Sequence, residues 1–157
     1  MKRQHFVYLT VLIVAANLGA CPDITITIPD GGDILIPGTS TVVVEVFNDT
    51  DFEIDPRIVF DSQTGFWASA FPSEDLATGI LGPGEMNRYN MDCDRVGTIF
   101  SDTAGQFDGP DTIGQADVTR PLERGSDFGC GDTLQFHFIG DGDGFGVIVS
   151  VNGVVVD

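Results

Sequence analysis

Lysine is almost missing from this chain: Lys2 is the only one in 157 residues. Beyond Arg3 the cations are five arginines, Arg57, Arg88, Arg95, Arg120 and Arg124, set against 24 acidic residues. From residue 21 onward the net charge is therefore 5 − 24 = −19. Such a field repels phosphate backbones and anionic headgroups, which argues against a nucleic-acid partner. The usual chemical signatures are missing too. There is no C-x-x-C pair, no G-x-S-x-G turn, no phosphate-cradling loop, no basic patch, no heptad run and no internal repeat. With no nucleophile–base signature, no catalytic residue, cofactor or metal is assigned, and a non-enzymatic protein is expected. Helical periodicity is missing as well, since no segment holds a 3.6-residue repeat over three turns.

What remains is strand and turn chemistry. Asp23–Ile28 alternates apolar with β-branched polar residues, and Pro29–Asp33 is a turn. Ile34–Ile36, Thr41–Phe47, Arg57–Phe60, Phe66–Phe71 and Arg88–Cys93 read as further strands, and Val96–Phe100 as a continuation of the last or its partner. Residues 101–131 are punctuated by Gly and Pro. They read as a long excursion with one or two short strands, one of them around Gln115–Thr119. Thr133–Ile139 alternates clearly, with Leu134, Phe136 and Phe138 on one face and Gln135 and His137 on the other. Gly146–Val151 and Val154–Val156 flank Asn152-Gly153, the strongest short hairpin signal in the chain. The acids favour Asp over Glu, 19 to 5, and Asp belongs in turns. Strands separated by such turns predict an all-β, antiparallel sandwich or barrel.

The amino end has a different character. Lys2 and Arg3 precede the 11-residue apolar run Phe6–Ala16, and Leu18-Gly19-Ala20-Cys21 closes it. The run is too short for a membrane-spanning helix, which needs about 20 residues. It fits the apolar core of a signal peptide. The segment resembles the export signal of bacterial lipoproteins, whose last four residues form a lipobox. The resemblance implies cleavage before Cys21 and lipid on its sulfur, hence an exported protein anchored to the cell envelope. The plainer alternative is an ordinary secretory leader with Cys21 as a thiol or disulfide partner, and an uncleaved anchor is a third reading. A signal peptide at 1–20 and one domain at 21–157 are expected.

With Cys21 given to lipid, Cys93 and Cys130 remain, and export into an oxidising compartment predicts a disulfide. A zinc site from Cys93, Asp94, Cys130 and His137 is the sharper, less supported alternative. The strand-turn pattern of TVVVEVFNDTD, and LGPGE before a later strand, resembles bacterial immunoglobulin-like domains. That resemblance implies an immunoglobulin-like β-sandwich and no particular ligand.

Other residues invite chemistry. Asp141-Gly142-Asp143-Gly144 starts like a calcium loop, but Phe145 and Asn152 stand where oxygen ligands belong. Asp30, Asp33, Asp49, Asp51 and Asp55 form a second candidate cluster, and they serve equally as turn residues. Phe66, Trp67 and Phe71 suit a core or a sugar platform. His137, on the polar face of its strand, reads as an exposed or sheet-packed histidine. The resulting expectation is a lipid-anchored envelope module that is structural or binds a protein partner. A calcium-dependent adhesion or carbohydrate-binding domain is the alternative, and a small hydrolase the third.

Overall fold

The computed structural model describes residues 24–28, 32–36, 40–65, 74–141 and 144–157. They form strands and turns, with one 3-10 turn at Cys93–Arg95. Two units separate, Met1–Thr39 and Ser40–Asp157. The expected domain at 21–157 therefore has its sandwich in the second unit. In the first unit β1 (Ile24–Ile28) pairs antiparallel with β2 (Gly32–Ile36), Ile24 opposite Ile36.

The second unit begins with β3 (Thr41–Asn48), β4 (Glu53–Asp55), β5 (Ile58–Asp61), β6 (Glu74–Leu76) and β7 (Met86–Asp92). It continues with β8 (Thr98–Ser101), β9 (Ala104–Asp108), β10 (Asp111–Ala116) and β11 (Leu122–Glu123). It closes with β12 (Thr133–Asp141), β13 (Gly144–Val151) and β14 (Val154–Val155). Three sheets result, ordered β14-β13-β12-β3-β7, β11-β8-β5-β6 and β10-β9-β4. All three contribute to one core, so the unit is an all-β sandwich, as expected. Among the described residues the strands pair antiparallel except β3 and β12, which run parallel. A chain that returns to β3 only after eight further strands is free of the reversal a hairpin imposes.

Period-two alternation builds the core. Val42, Val44 and Val46 of β3 and Leu134, Phe136 and Phe138 of β12 are fully buried on one face. The hairpin signal is real: Asn152 and Gly153 take φ of 51° and 79°, the left-handed pair that a two-residue turn requires. The two segments that carry the immunoglobulin-like resemblance touch. Asn48 donates its N–H to Glu85 O at 2.9 Å, and Gly84 donates to Asn48 O at 2.9 Å.

Residues 101–131 differ from expectation. They carry the β9–β10 hairpin and β11, and Asp117–Thr119 lies outside any strand. Gly105 and Gly114 read as breakers, yet both lie inside strands where neighbours crowd them. A Cβ on Gly105 would stand 2.8 Å from the Phe107 ring, and one on Gly114 2.7 Å from Gln106 Oε1. These glycines allow close approach within the sheet. β4 and β6 escape sequence reading because each is three residues long, with a single apolar residue among acids. The expected strand Phe66–Phe71 lies outside the described residues.

Two buried amides test the core in opposite directions. Asn48 is fully buried and fully used. Its Nδ2 donates to Phe52 O at 2.7 Å and Leu81 O at 2.9 Å. Its Oδ1 accepts the Thr50 N–H at 3.0 Å and the Thr50 hydroxyl at 2.8 Å. Gln106 is equally buried, and neither Nε2 nor Oε1 has a partner among the described residues. Asn48→Ala is expected to cost about 2 kcal/mol, and Gln106→Leu to stabilise by about 1 kcal/mol. Urea unfolding of the two variants checks this; an equal loss in both would sink the contrast.

Candidate interaction surface

The face of the five-stranded sheet turned away from the core carries a polar row. Arg88 Nη1 of β7 donates to Glu45 Oε1 of β3 at 3.0 Å. Gln135 Nε2 of β12 donates to Glu45 Oε2 at 3.0 Å, and Ser150 Oγ of β13 donates to Gln135 Oε1 at 3.0 Å. The row crosses four strands. It explains how Glu45 tolerates being 9% exposed, because both carboxylate oxygens are occupied. In the next row the His137 ring stacks on Phe47 with centroids 4.3 Å apart and planes 1° off parallel. His137 Nδ1 lies 2.6 Å from Asp49 Oδ2. Of the two readings open to it, exposed or sheet-packed, His137 takes the second.

Cys93 and Cys130 are joined as a disulfide, with their Cα atoms 5.6 Å apart. That removes both sulfurs from the zinc alternative. His137 turns to Asp49, and Asp94 makes only a long contact of 3.7 Å with Arg124. Cys93 is buried where β7 passes into the 3-10 turn. Its N–H donates to Ser40 O, and the N–H of Gly131 donates to Thr41 O, both at 2.7 Å. The bridge therefore clasps the two neighbours of β3, β7 and β12, across the start of that strand.

The other sequence candidates scatter. Asp51 and Asp55 are exposed and Asp49 is committed to His137. Asp33 is on β2, in the other unit. Cys21, Asp30, Phe66, Trp67, Phe71, Gly142 and Asp143 lie outside the described residues. Among the described residues, no three His, Cys, Asp or Glu side chains gather to hold a metal ion.

The feature that sequence reading missed lies between two sheet edges. Among the described residues, β6 and β7 are each the outermost strand of their sheets. Between them runs a groove of about 520 Å³, floored by Phe60, Leu76, Tyr89 and Met91 and rimmed by charge. Arg95 lies over the Phe60 ring at 5.6 Å and also pairs with Glu74. Arg57 spans Asp75 at 3.2 Å and Asp102 at 2.9 Å. The hydrogen bond and charge of Asp75, joined by the charge of Asp102, raise the Arg57 pKa. Burial raises the Tyr89 phenol against a smaller opposing hydrogen bond from Asn87, so its hydroxyl remains a neutral donor at pH 7. Nothing in the sequence marks β6 as an edge, because Glu-Asp-Leu carries no strand signal.

No protein-family model and no curated protein matches the chain. Among solved structures, a disulfide-locked mutant of intermedilysin with human CD59 shares 10% identity over 80% of this chain and 27% of that one, with a TM-score of 0.48. Pneumolysin shares 8% identity over 71% of this chain and 24% of that one, at 0.47. The T6SS lipoprotein TssJ1 from Pseudomonas aeruginosa shares 10% over 71% and 95%, at 0.38. This chain spans about a quarter of the length of the toxins it matches. Likeness at this level carries no argument about activity.

Proposed function

We propose that the protein is a lipid-anchored module of the cell envelope, without enzymatic activity, that engages a protein partner. The observation that carries this reading is the Cys93–Cys130 bridge. A structural disulfide belongs to an exported chain in an oxidising compartment. The leader supplies the rest: its charged start, its short apolar run and the Leu18–Cys21 ending are the parts a lipoprotein signal needs. Cys21 is the lipid attachment residue. One acyl chain anchors only marginally, so stable attachment takes several chains on that residue. The strongly acidic sandwich stands away from anionic headgroups, which keeps its surface free for a partner.

Cys21→Ser tests the anchor. The wild-type chain is expected in the membrane fraction, with an amino-terminal mass that includes acyl groups. The serine variant is expected in the soluble fraction. A serine variant that remains membrane-bound and is cut at the same position would overturn the lipid assignment.

A further inference from the structure

The β3–β7 ladder fixes which way each backbone group of β7 points. Thr41 lies opposite Asp92 and Phe47 opposite Met86. At the two ends of this register, Cys93 donates its N–H to Ser40 O and Asn48 donates its N–H to Glu85 O. In an antiparallel pair, directly opposed residues alternate between exchanging both hydrogen bonds and exchanging none. The bonded positions are therefore 42/91, 44/89 and 46/87, which turns the backbone of Asn87, Tyr89 and Met91 toward β3. The N–H and C=O groups of Met86, Arg88, Asn90 and Asp92 point away from β3. None of these outward groups has a backbone or side-chain partner among the described residues.

An open row of this kind accepts another strand, and the groove beside it accepts that strand's side chains. Charge selects the occupant. The three cations around the groove are each held by acids, Arg88 by Glu45, Arg95 by Glu74 and Arg57 by both Asp75 and Asp102, so no cation there is in excess. Asp92 has no ion-pair partner among the described residues, and the chain as a whole carries −17. Two copies of so acidic a chain repel, which disfavours edge-to-edge pairing with itself. We infer that β7 is the docking edge for an extended, lysine- or arginine-bearing segment of a partner protein, which adds as a sixth strand to the five-stranded sheet. The inference rests on the protein-interaction half of the proposed function. It is independent of the anchor, which the Cys21 experiment tests alone.

Amide exchange followed by NMR on the full processed chain decides it. The probe is a short peptide alternating lysine with valine and threonine, and its glutamate counterpart is the control. The Arg88 and Asn90 N–H groups are expected to exchange freely in the unbound protein. Saturating lysine peptide is expected to slow them about tenfold, and the glutamate peptide to leave them unchanged. Asn90→Pro removes one outward donor without touching a bond to β3, and is expected to abolish the protection. Asp92→Lys leaves the backbone intact and is expected to weaken the lysine peptide about threefold at low salt. If Asn90→Pro fails to fold, Asp92→Lys carries the test. Protection of Arg88 and Asn90 before any peptide is added would overturn the inference. So would protection that rises with protein concentration alone, equal binding of both peptides, or binding that leaves these two amides unaffected.

Discussion

Exchanging both bridged cysteines for serine, Cys93→Ser with Cys130→Ser, is expected to lower the unfolding free energy by about 4 kcal/mol. On the chain-entropy account, a link between residues 37 apart removes that much freedom from the unfolded chain. The melting temperature should fall by roughly 12–20 °C. Position adds to the loss. Cys93 is 2% exposed, so the variant also buries a serine hydroxyl in its place. The bridge moreover ties β7 to β12 where β3 begins, and the hydrogen bonds to Ser40 and Thr41 depend on both flanks staying in place. Urea unfolding of the double variant, beside wild type with and without reductant, measures the effect. Reduced wild type should follow the variant closely. A loss under about 1 kcal/mol would mean that the sheet alone sets the register there.

Phe136→Ala is expected to cost about 4 kcal/mol, the range for emptying a buried aromatic site that cannot collapse. Phe136 is fully buried at the centre of β12, opposite Val149 on one side and Val46 on the other. Both neighbours are themselves fully buried strand residues, so backbone hydrogen bonds on two sides hold the walls of the cavity apart. Phe136→Leu keeps most of the volume and should cost less than half as much. Val154→Ala removes methyl groups from a side chain that is 67% exposed, and should stay within about 0.5 kcal/mol of wild type. Equilibrium denaturation of the three variants checks the ordering. Equal losses at Phe136 and Val154 would contradict the placement of the core.

The all-β class was legible because β12 alternates cleanly, because β3 and β13 are long and rich in β-branched residues, and because Asn152-Gly153 admits one turn geometry. The Cys93–Cys130 bridge followed from export and from counting. The region from 101 to 131 misled because Gly105 and Gly114 look like chain breakers, while in the sheet they make room for Phe107 and Gln106. A single sequence does not show whether a glycine is there for its torsion angles or for its missing side chain. The docking edge was invisible for a different reason. That β7 has one neighbour and β6 another is a property of strand order, set by contacts far apart along the chain. Glu45 shows the same limit: its burial depends on the approach of Arg88 and Gln135 from neighbouring strands, which strand order alone decides.

The clasp at the start of β3 has a mechanical consequence. A pull on the amino-terminal side of the chain is delivered to Ser40, at the head of a strand flanked on both sides. To slide, β3 must strain seven register pairs with β7 and six with β12 together, so the load is divided instead of tearing one bond after another. The covalent rivet between those two flanks stops them from spreading as the strand is drawn. A load applied through the amino-terminal side of the chain would thus be met where the sheet is best reinforced.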